Sequence, residues 1–206
     1  MVFGYIPSKI DGTEKRFKEV NGLAIPTSYS YEKFLPKVLN QGNMPICVPC
    51  SISAHLNWNK NMEDGNNKRE NHFDLDEIYD SRTNGGNNGM TFKDAFRYIR
   101  HYGVNCDFGK TKIDSYAMIG GIEHLKQALL LNGPCVGALP VYGEDDVFWD
   151  KRNGNYKGGH AIAIVGYDDD GIIIRNSWGK SFGKNGYIHM DNDDFGAFFE
   201  VWTIVD

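Results

Sequence analysis

The chain has 206 residues, enough for one domain or two small lobes sharing a core, since domains commonly hold roughly 100–200 residues. Its charged fraction of 24% and hydrophobic fraction of 41% are those of a soluble globular chain. A net charge of -5 with no basic run argues against nucleic acid or an anionic membrane as a partner, and no apolar run approaches the ~18 residues of a membrane span.

The first 40 residues show no sustained period and read as an arm with short extended pieces. Their start, "MVFGYIPSKIDGTEKRF", lacks the charged region and apolar core of a signal peptide. Four cysteines at 47, 50, 106 and 135, with no Asn-x-Ser/Thr acceptor, fit a reducing compartment better than secretion. A cytoplasmic or virion-associated setting is favoured on this basis, with the compartment left open.

From Cys47 onward, Val48, Ile52 and Leu56 recur every four residues, the stripe of a helix starting at or beside Cys47. Pro49 is tolerated there because the first turn has no N–H bond to lose. That helix is expected to fade into "NWNKNMEDGNNKREN", read as a polar surface loop. "FDLDEIYDSR" predicts a short helix and "NGGNNG", 84–89, a glycine turn. Thr91 to Asp94 resembles a capping box ahead of an apolar face of Phe92, Ala95, Phe96 and Ile99, with Gly103 as the stop. A further helix, "GIEHLKQALLLNGP", closes at Gly133 and Pro134. Beyond it "CVGALPVY", "HAIAIVGY", "GIIIRNSW", "GYIHM" and "FFEVWTIV" are β-rich runs separated by turns. Helices thus precede strands, an α+β order rather than an alternating βαβ one.

A catalytic thiol needs help to become a thiolate, a positioned base, and donors for a developing oxyanion. A helix N-terminus stabilises a thiolate, and Cys47 is placed at one. A base is available in His160 of "GGHAIAIVGYDDDG", and an orienting amide in Asn176 of "RNSWGKSFGKNGYI". The strand-turn-strand between them could return Asn176 beside His160. "DNDDFG" at 191–196 hints at a calcium loop, but its twelfth position is Trp202 instead of Glu, so no metal is expected.

The run "GGHAIAIVGYDDDGIIIRNSWGKSFGKNGYIHM" resembles the His and Asn segments of papain-like cysteine proteases, and "NQG" six residues ahead of Cys47 resembles the family's oxyanion glutamine and nucleophile. The likeness spans roughly residues 33–206. It departs from the family at Cys-Gly-Ser-Cys-Trp: Pro45 and Ile46 stand where Gly-Ser is common, and Val48 where an aromatic is common, as in divergent bacterial and viral members. The resemblance implies a single catalytic domain over 1–206, with an arm and crossing segment (1–44), a helical lobe (45–110) and an antiparallel β-rich lobe (111–206). It implies Cys47 as nucleophile, His160 as base, Asn176 as ring orienter, Gln41 as oxyanion donor and Trp178 as the shield of the His–Asn bond. Gly89, Met90, Ala138, Gly159 and Ala161 would contact substrate, with an apolar pocket for the second residue before the scissile bond. The implied partner is a peptide or protein; no cofactor is required, and a monomer is expected.

Two other readings stay open in the residues alone. Cys47-Val-Pro-Cys50 could be the dithiol of a thiol–disulfide oxidoreductase, although "LNQGNMPI" lacks the apolar strand that such a motif follows. The fold could also serve as a catalytically silent binding protein.

Overall fold

The computed structural model describes residues 2–65, 69–83 and 89–206. Most of the glycine turn at 84–89 lies outside these residues.

The arm contributes one short strand, β1 (Tyr29–Ser30). Four helices follow at intervals: α1 (Cys47–Glu63), α2 (Leu75–Asp80), α3 (Phe92–Tyr102) and α4 (Ile122–Asn132). A hairpin of β2 (Val104–Cys106) and β3 (Gly109–Thr111) follows α3. The remaining strands are β4 (Ser115–Met118), β5 (Cys135–Val141), β6 (Gly158–Tyr167), β7 (Ile172–Arg175), β8 (Tyr187–Met190) and β9 (Glu200–Val205). They form an antiparallel sheet in the order β4-β9-β5-β6-β7-β8, and β1 adds to the far end of β6. That addition needs Gly166, because a Cβ there would lie 2.4 Å from the Tyr29 carbonyl oxygen. No helix among the described residues is long and apolar enough to cross a membrane.

The helical stripe meets the sheet where the spacing predicts. Val48, Ile52 and Leu56 are buried with Ala138 of β5, Ala161 of β6 and Trp202 of β9 in one cluster. Each such side chain is worth roughly 1.5–3 kcal/mol when fully buried. The helix therefore lies with its N-terminus, and Cys47, at the start of β6 where His160 sits. The sheet's other face packs against α4 through Leu125, Ala128 and Leu129. This is the α+β arrangement of a helical portion against an antiparallel β-rich portion, with α4 lying in the latter.

One expectation is corrected. The asparagine-rich stretch does not leave the helix at Asn57, because α1 runs on to Glu63. The amides of Asn57, Asn61 and Asn71 are buried and bonded: Asn57 donates to the Ser53 carbonyl at 2.9 Å and accepts from the Asn71 N–H at 2.9 Å. Asn61 donates to the Arg69 carbonyl at 3.0 Å and accepts from the Asn71 side chain at 3.1 Å. A polar composition looked like solvated surface, yet these side chains stitch the helix to the loop beside it. His55 on the same helix is buried: its Nδ1 donates to the Pro134 carbonyl at 2.9 Å, and Nε2 meets Asp206.

At α3, the Thr91 hydroxyl accepts from the Asp94 N–H at 3.0 Å, and Gly103 closes the helix at a φ of 75°. Replacing an N-cap Thr by Ala typically costs about 1 kcal/mol. Thr91→Ala is therefore expected to lower the urea midpoint by that equivalent with the m-value unchanged, measured by equilibrium unfolding.

Candidate active site

A short backbone strap sets the first site residue. The Gln41 N–H donates to the Ser177 carbonyl at 2.8 Å, and the Gly179 N–H to the Leu39 carbonyl at 2.9 Å. The two segments implied by resemblance, 39–41 and 176–179, are thus zipped together. The Gln41 carbonyl oxygen accepts from the Ser177 hydroxyl at 2.6 Å, which orients the side chain so that Nε2 donates to Met44 at 2.9 Å and to the carbonyl of Val2 at 3.3 Å.

His160 lies in β6 and Asn176 immediately after β7, antiparallel neighbours, and the turn between them brings the two side chains together. His160 Nε2 and Asn176 Oδ1 are 2.7 Å apart. Which Asn atom is the oxygen follows from a second contact: the Ser177 backbone N–H donates to the same atom at 2.7 Å, so it must be an acceptor. Nε2 therefore carries the proton, and Nδ1 is the bare nitrogen, buried and without a partner. Trp178 stacks on the imidazole at 4.4 Å between centroids, and Phe148 meets it edge-on at 5.8 Å. This cover keeps water from the His–Asn bond.

Cys47 opens α1, and its own N–H and that of Val48 lie at the sulfur, joined by N–H groups of Ala161 and Gly4. All four favour a thiolate. Burial opposes them and wins, pushing the thiol up to about 11; burial also holds His160 down to about 4 against the Asn176 bond. In this conformation the pair is thiol and neutral imidazole.

The N-terminal arm contributes to the burial of Cys47. Residues 3–6 lie in the cleft, with the Tyr5 N–H donating to the Gly159 carbonyl at 3.3 Å, Ile6 N–H to the Met90 carbonyl at 3.0 Å and Met90 N–H to the Gly4 carbonyl at 2.8 Å. Gly4 directs its carbonyl at the Met90 N–H, while the carbonyl of Val2 accepts from Gln41 Nε2 at 3.3 Å. The fit relies on glycine: a Cβ on Gly4 would lie 1.9 Å from the Pro45 carbonyl oxygen, and one on Gly159 2.5 Å from the Tyr5 ring.

The structure thus brings Gln41, Cys47, His160, Asn176 and Trp178 to one cleft. Met90, Ala138 and Ala161 share a buried cluster with Cys47 and Tyr5, and Gly159 supports the arm's backbone. Gly89 lies in the same wall, where a Cβ would meet Ile6 at 2.9 Å, and its neighbour Met90 bonds the arm through its backbone. Three site residues went unread in the sequence. Phe148 carries no signal beyond its type, whereas Ser177 lies within the Asn-Ser-Trp-Gly run of the resemblance without a role of its own there. Glu200 did have one, as the single acid in the apolar run "FFEVWTIV". Among the described residues no group of three His, Cys, Asp or Glu side chains could hold a metal.

A family model described as papain family cysteine protease matches residues 30–198. The chain is 37% identical over 94 residues to "Cathepsin B-like CP3" of Giardia intestinalis, covering 37% of this chain and 31% of that protein. It is 24% identical over 206 aligned positions to "Cathepsin L-like proteinase" of Fasciola hepatica, covering 84% of this chain and 62% of that one. It therefore spans less than two thirds of the length of these relatives. Among solved structures, xylellain, a cysteine protease from Xylella fastidiosa, superposes with a TM-score of 0.84 at 21% identity, over 98% of this chain and 95% of that one.

Two outcomes are expected from the seated arm, both read as the alkylation rate of Cys47 by iodoacetamide, with the site identified by mass spectrometry. Gly4→Val forces a side chain onto the Pro45 backbone, an overpacking that commonly costs about 1–3 kcal/mol, so alkylation should accelerate about tenfold to hundredfold as the arm leaves. The second concerns pH. Burial holds His160 below its ordinary value of 6.5, so an open form that wets the ring takes up a proton more readily. Closure is thus favoured above 6.5 and weakens as pH falls toward about 4, and the rate ratio of Gly4→Val to wild type should shrink over that window.

Proposed function

The chain belongs to the papain family of cysteine proteases, and from that premise we propose that it hydrolyses peptide bonds through a covalent acyl-enzyme, with Cys47 as nucleophile. The observation that carries the reading is the His160–Asn176 pair, whose geometry leaves Nδ1 as the free base at the cleft. With a substrate in place of the arm, Nδ1 takes the thiol proton and Sγ attacks the scissile carbonyl carbon. The oxygen gathers negative charge, for which Gln41 Nε2 and the Cys47 N–H are the donors. The imidazolium then protonates the leaving amine, the C–N bond breaks, and water activated by the same nitrogen cleaves the thioester. Asn176 supports this by accepting from Nε2–H throughout, so that the ring keeps one tautomer.

Gln41 already serves a carbonyl oxygen, that of Val2. This supports its role as a donor to a substrate oxygen. The arm must give way before peptides enter, but only its first part fills the cleft. From Glu14 onward it is bound independently: Glu14 pairs with Lys93, Phe17 N–H donates to the Met118 carbonyl at 2.8 Å, and Val20 N–H to Gln127 at 2.8 Å. Lys93 holds the Glu14 carboxyl down to about 2, so this tie survives ordinary acid conditions. Between the two parts, residues 9–13 are exposed.

A dithiol redox role gains no support from Cys50. Its backbone N–H is engaged by the Ile46 carbonyl at 3.0 Å, and burial pushes its thiol up further than that of Cys47. All four cysteines are free thiols.

The test is a pair of variants on one fluorogenic peptide. Cys47→Ala is expected to lose nearly all turnover, orders of magnitude in kcat, with its melting temperature close to wild type. Cys50→Ala is expected to keep most activity and lose about 1 kcal/mol of stability. The reverse pattern would return the redox reading to contention.

A further inference from the structure

The arm leaves the cleft by a definite route, and that route leads onto a row of cations. Within the cleft the Tyr5 hydroxyl donates to Glu200 at 2.6 Å, and the Ile6 N–H to the Met90 carbonyl at 3.0 Å. Three residues later the chain has reached α3, where Lys93 Nζ donates to the Lys9 carbonyl at 2.9 Å and pairs with the Glu14 carboxylate. Lys93 is the first of three cations on α3. Arg97 and Arg100 follow it at steps of four and three, the spacing of residues that share a helix face.

Arg97 and Arg100 are exposed, and neither makes a hydrogen bond or ion pair with any described residue. Like charges at these spacings destabilise a helix. Arg100 stands in the last turn, where the helix dipole favours a cation, but Arg97 does not, and the chain as a whole carries -5. A groove of about 680 Å³ is lined by both arginines and by Tyr98, Tyr102 and Tyr116. Asp94, the acid in its described lining, is buried and accepts from the Thr83 hydroxyl at 3.1 Å. The groove is open to solvent, so it suits an extended chain better than an enclosed small molecule. What an acid on such a chain does there is already visible at Lys93, whose partner Glu14 belongs to an irregular segment.

We propose that Arg97 and Arg100 form a second recognition site, outside the cleft, for acidic residues of the substrate that precede the scissile bond. The proposal rests on the peptidase reading, in which Met90 lines the pocket for the second residue before that bond. Glu14 keeps Lys93 when the first part of the arm leaves, so the two arginines are the free members of the row. Helix rise puts them about 10 and 15 Å along from Met90, a span covered by roughly three to five extended residues. The acids therefore stand about five to seven residues before the scissile bond. Each guanidinium offers a carboxylate paired N–H donors, and the tyrosine walls receive the aliphatic stems. Both arginines are solvated, so the gain is modest and salt-sensitive. Contacts this far from the reacting atoms act equally on the bound substrate and the transition state, so they change KM and leave kcat alone.

The experiment uses the full-length chain and peptides identical around the scissile bond, with Glu, Gln or Lys at the upstream positions. The fraction of molecules with the arm displaced is common to all of them, so it cancels in ratios between peptides. At low ionic strength wild type is expected to favour Glu over Gln in kcat/KM by roughly threefold to tenfold, through KM. The ratio should fall toward one at about 1 M salt, where charges are screened beyond roughly 3 Å. Arg97→Gln combined with Arg100→Gln should bring it to about one with turnover of the Gln peptide unchanged. Arg97→Glu combined with Arg100→Glu should make the Lys peptide the best of the three. A ratio near one in wild type, or one that survives the double Gln variant, overturns the proposal. So does an equal preference when the acids are moved to the far side of the scissile bond. The same peptides, fluorescently labelled and titrated onto full-length Cys47→Ala, read the site without turnover. Tighter binding of the Glu peptide that the arginine substitutions abolish, with no hydrolysis by wild type, would sink the peptidase reading and leave the arginine site standing. Equal binding of Glu and Gln peptides, or none, would sink the arginine site.

Discussion

The site is organised around one oxygen atom, Oδ1 of Asn176. It accepts from His160 Nε2 and from the Ser177 N–H, and these two bonds settle its identity, the tautomer of the imidazole and the direction of the free nitrogen. The ring also meets the face of Trp178 and packs edge-on with Phe148. Those faces exclude water, which both strengthens the bond and raises the cost of charging the ring. The same seclusion that makes the base well oriented thus makes it a poor one until something hydrates or pairs it.

The arm takes this to its limit. With the arm seated, Cys47 and His160 are both fully buried, and burial pushes the thiol up to about 11 and the imidazole down to about 4, so that each group favours its neutral form. The seal combines three main-chain hydrogen bonds, glycines on both sides that let two chains approach closely, and the buried side chain of Tyr5. None of these follows a helical or strand period, and this is why the arm reads as featureless in the sequence while being closely fitted in space.

Periodicity and local chemistry reached far into the fold. The four-residue stripe from Val48 marked α1 and its buried face, Thr91 and Gly103 marked the ends of α3, and β5 to β9 each correspond to an apolar run. The strands that escaped notice, β1 to β4, are two to four residues long, too short for an alternation to declare itself. The end of α1 was misjudged because composition cannot tell an asparagine facing water from one bonded to a neighbouring loop.

What the sequence by itself determined is the set of chemical parts: a cysteine at a helix start, a histidine and an asparagine on adjacent strands, and a glutamine at a fixed step from the thiol. The cysteine is legible from the apolar stripe of its helix; the histidine, the asparagine and above all the glutamine are legible through the resemblance to papain-like proteases. What only the tertiary structure decided depends on residues far apart in the chain. Tyr5 meets Glu200 across nearly the whole sequence, and Gly4 meets Pro45 and Met90. No local pattern encodes a contact between an irregular arm and the last strand of the sheet; it exists because the sheet's order places β9 beside β5, with Glu200 turned toward the cleft that the arm fills.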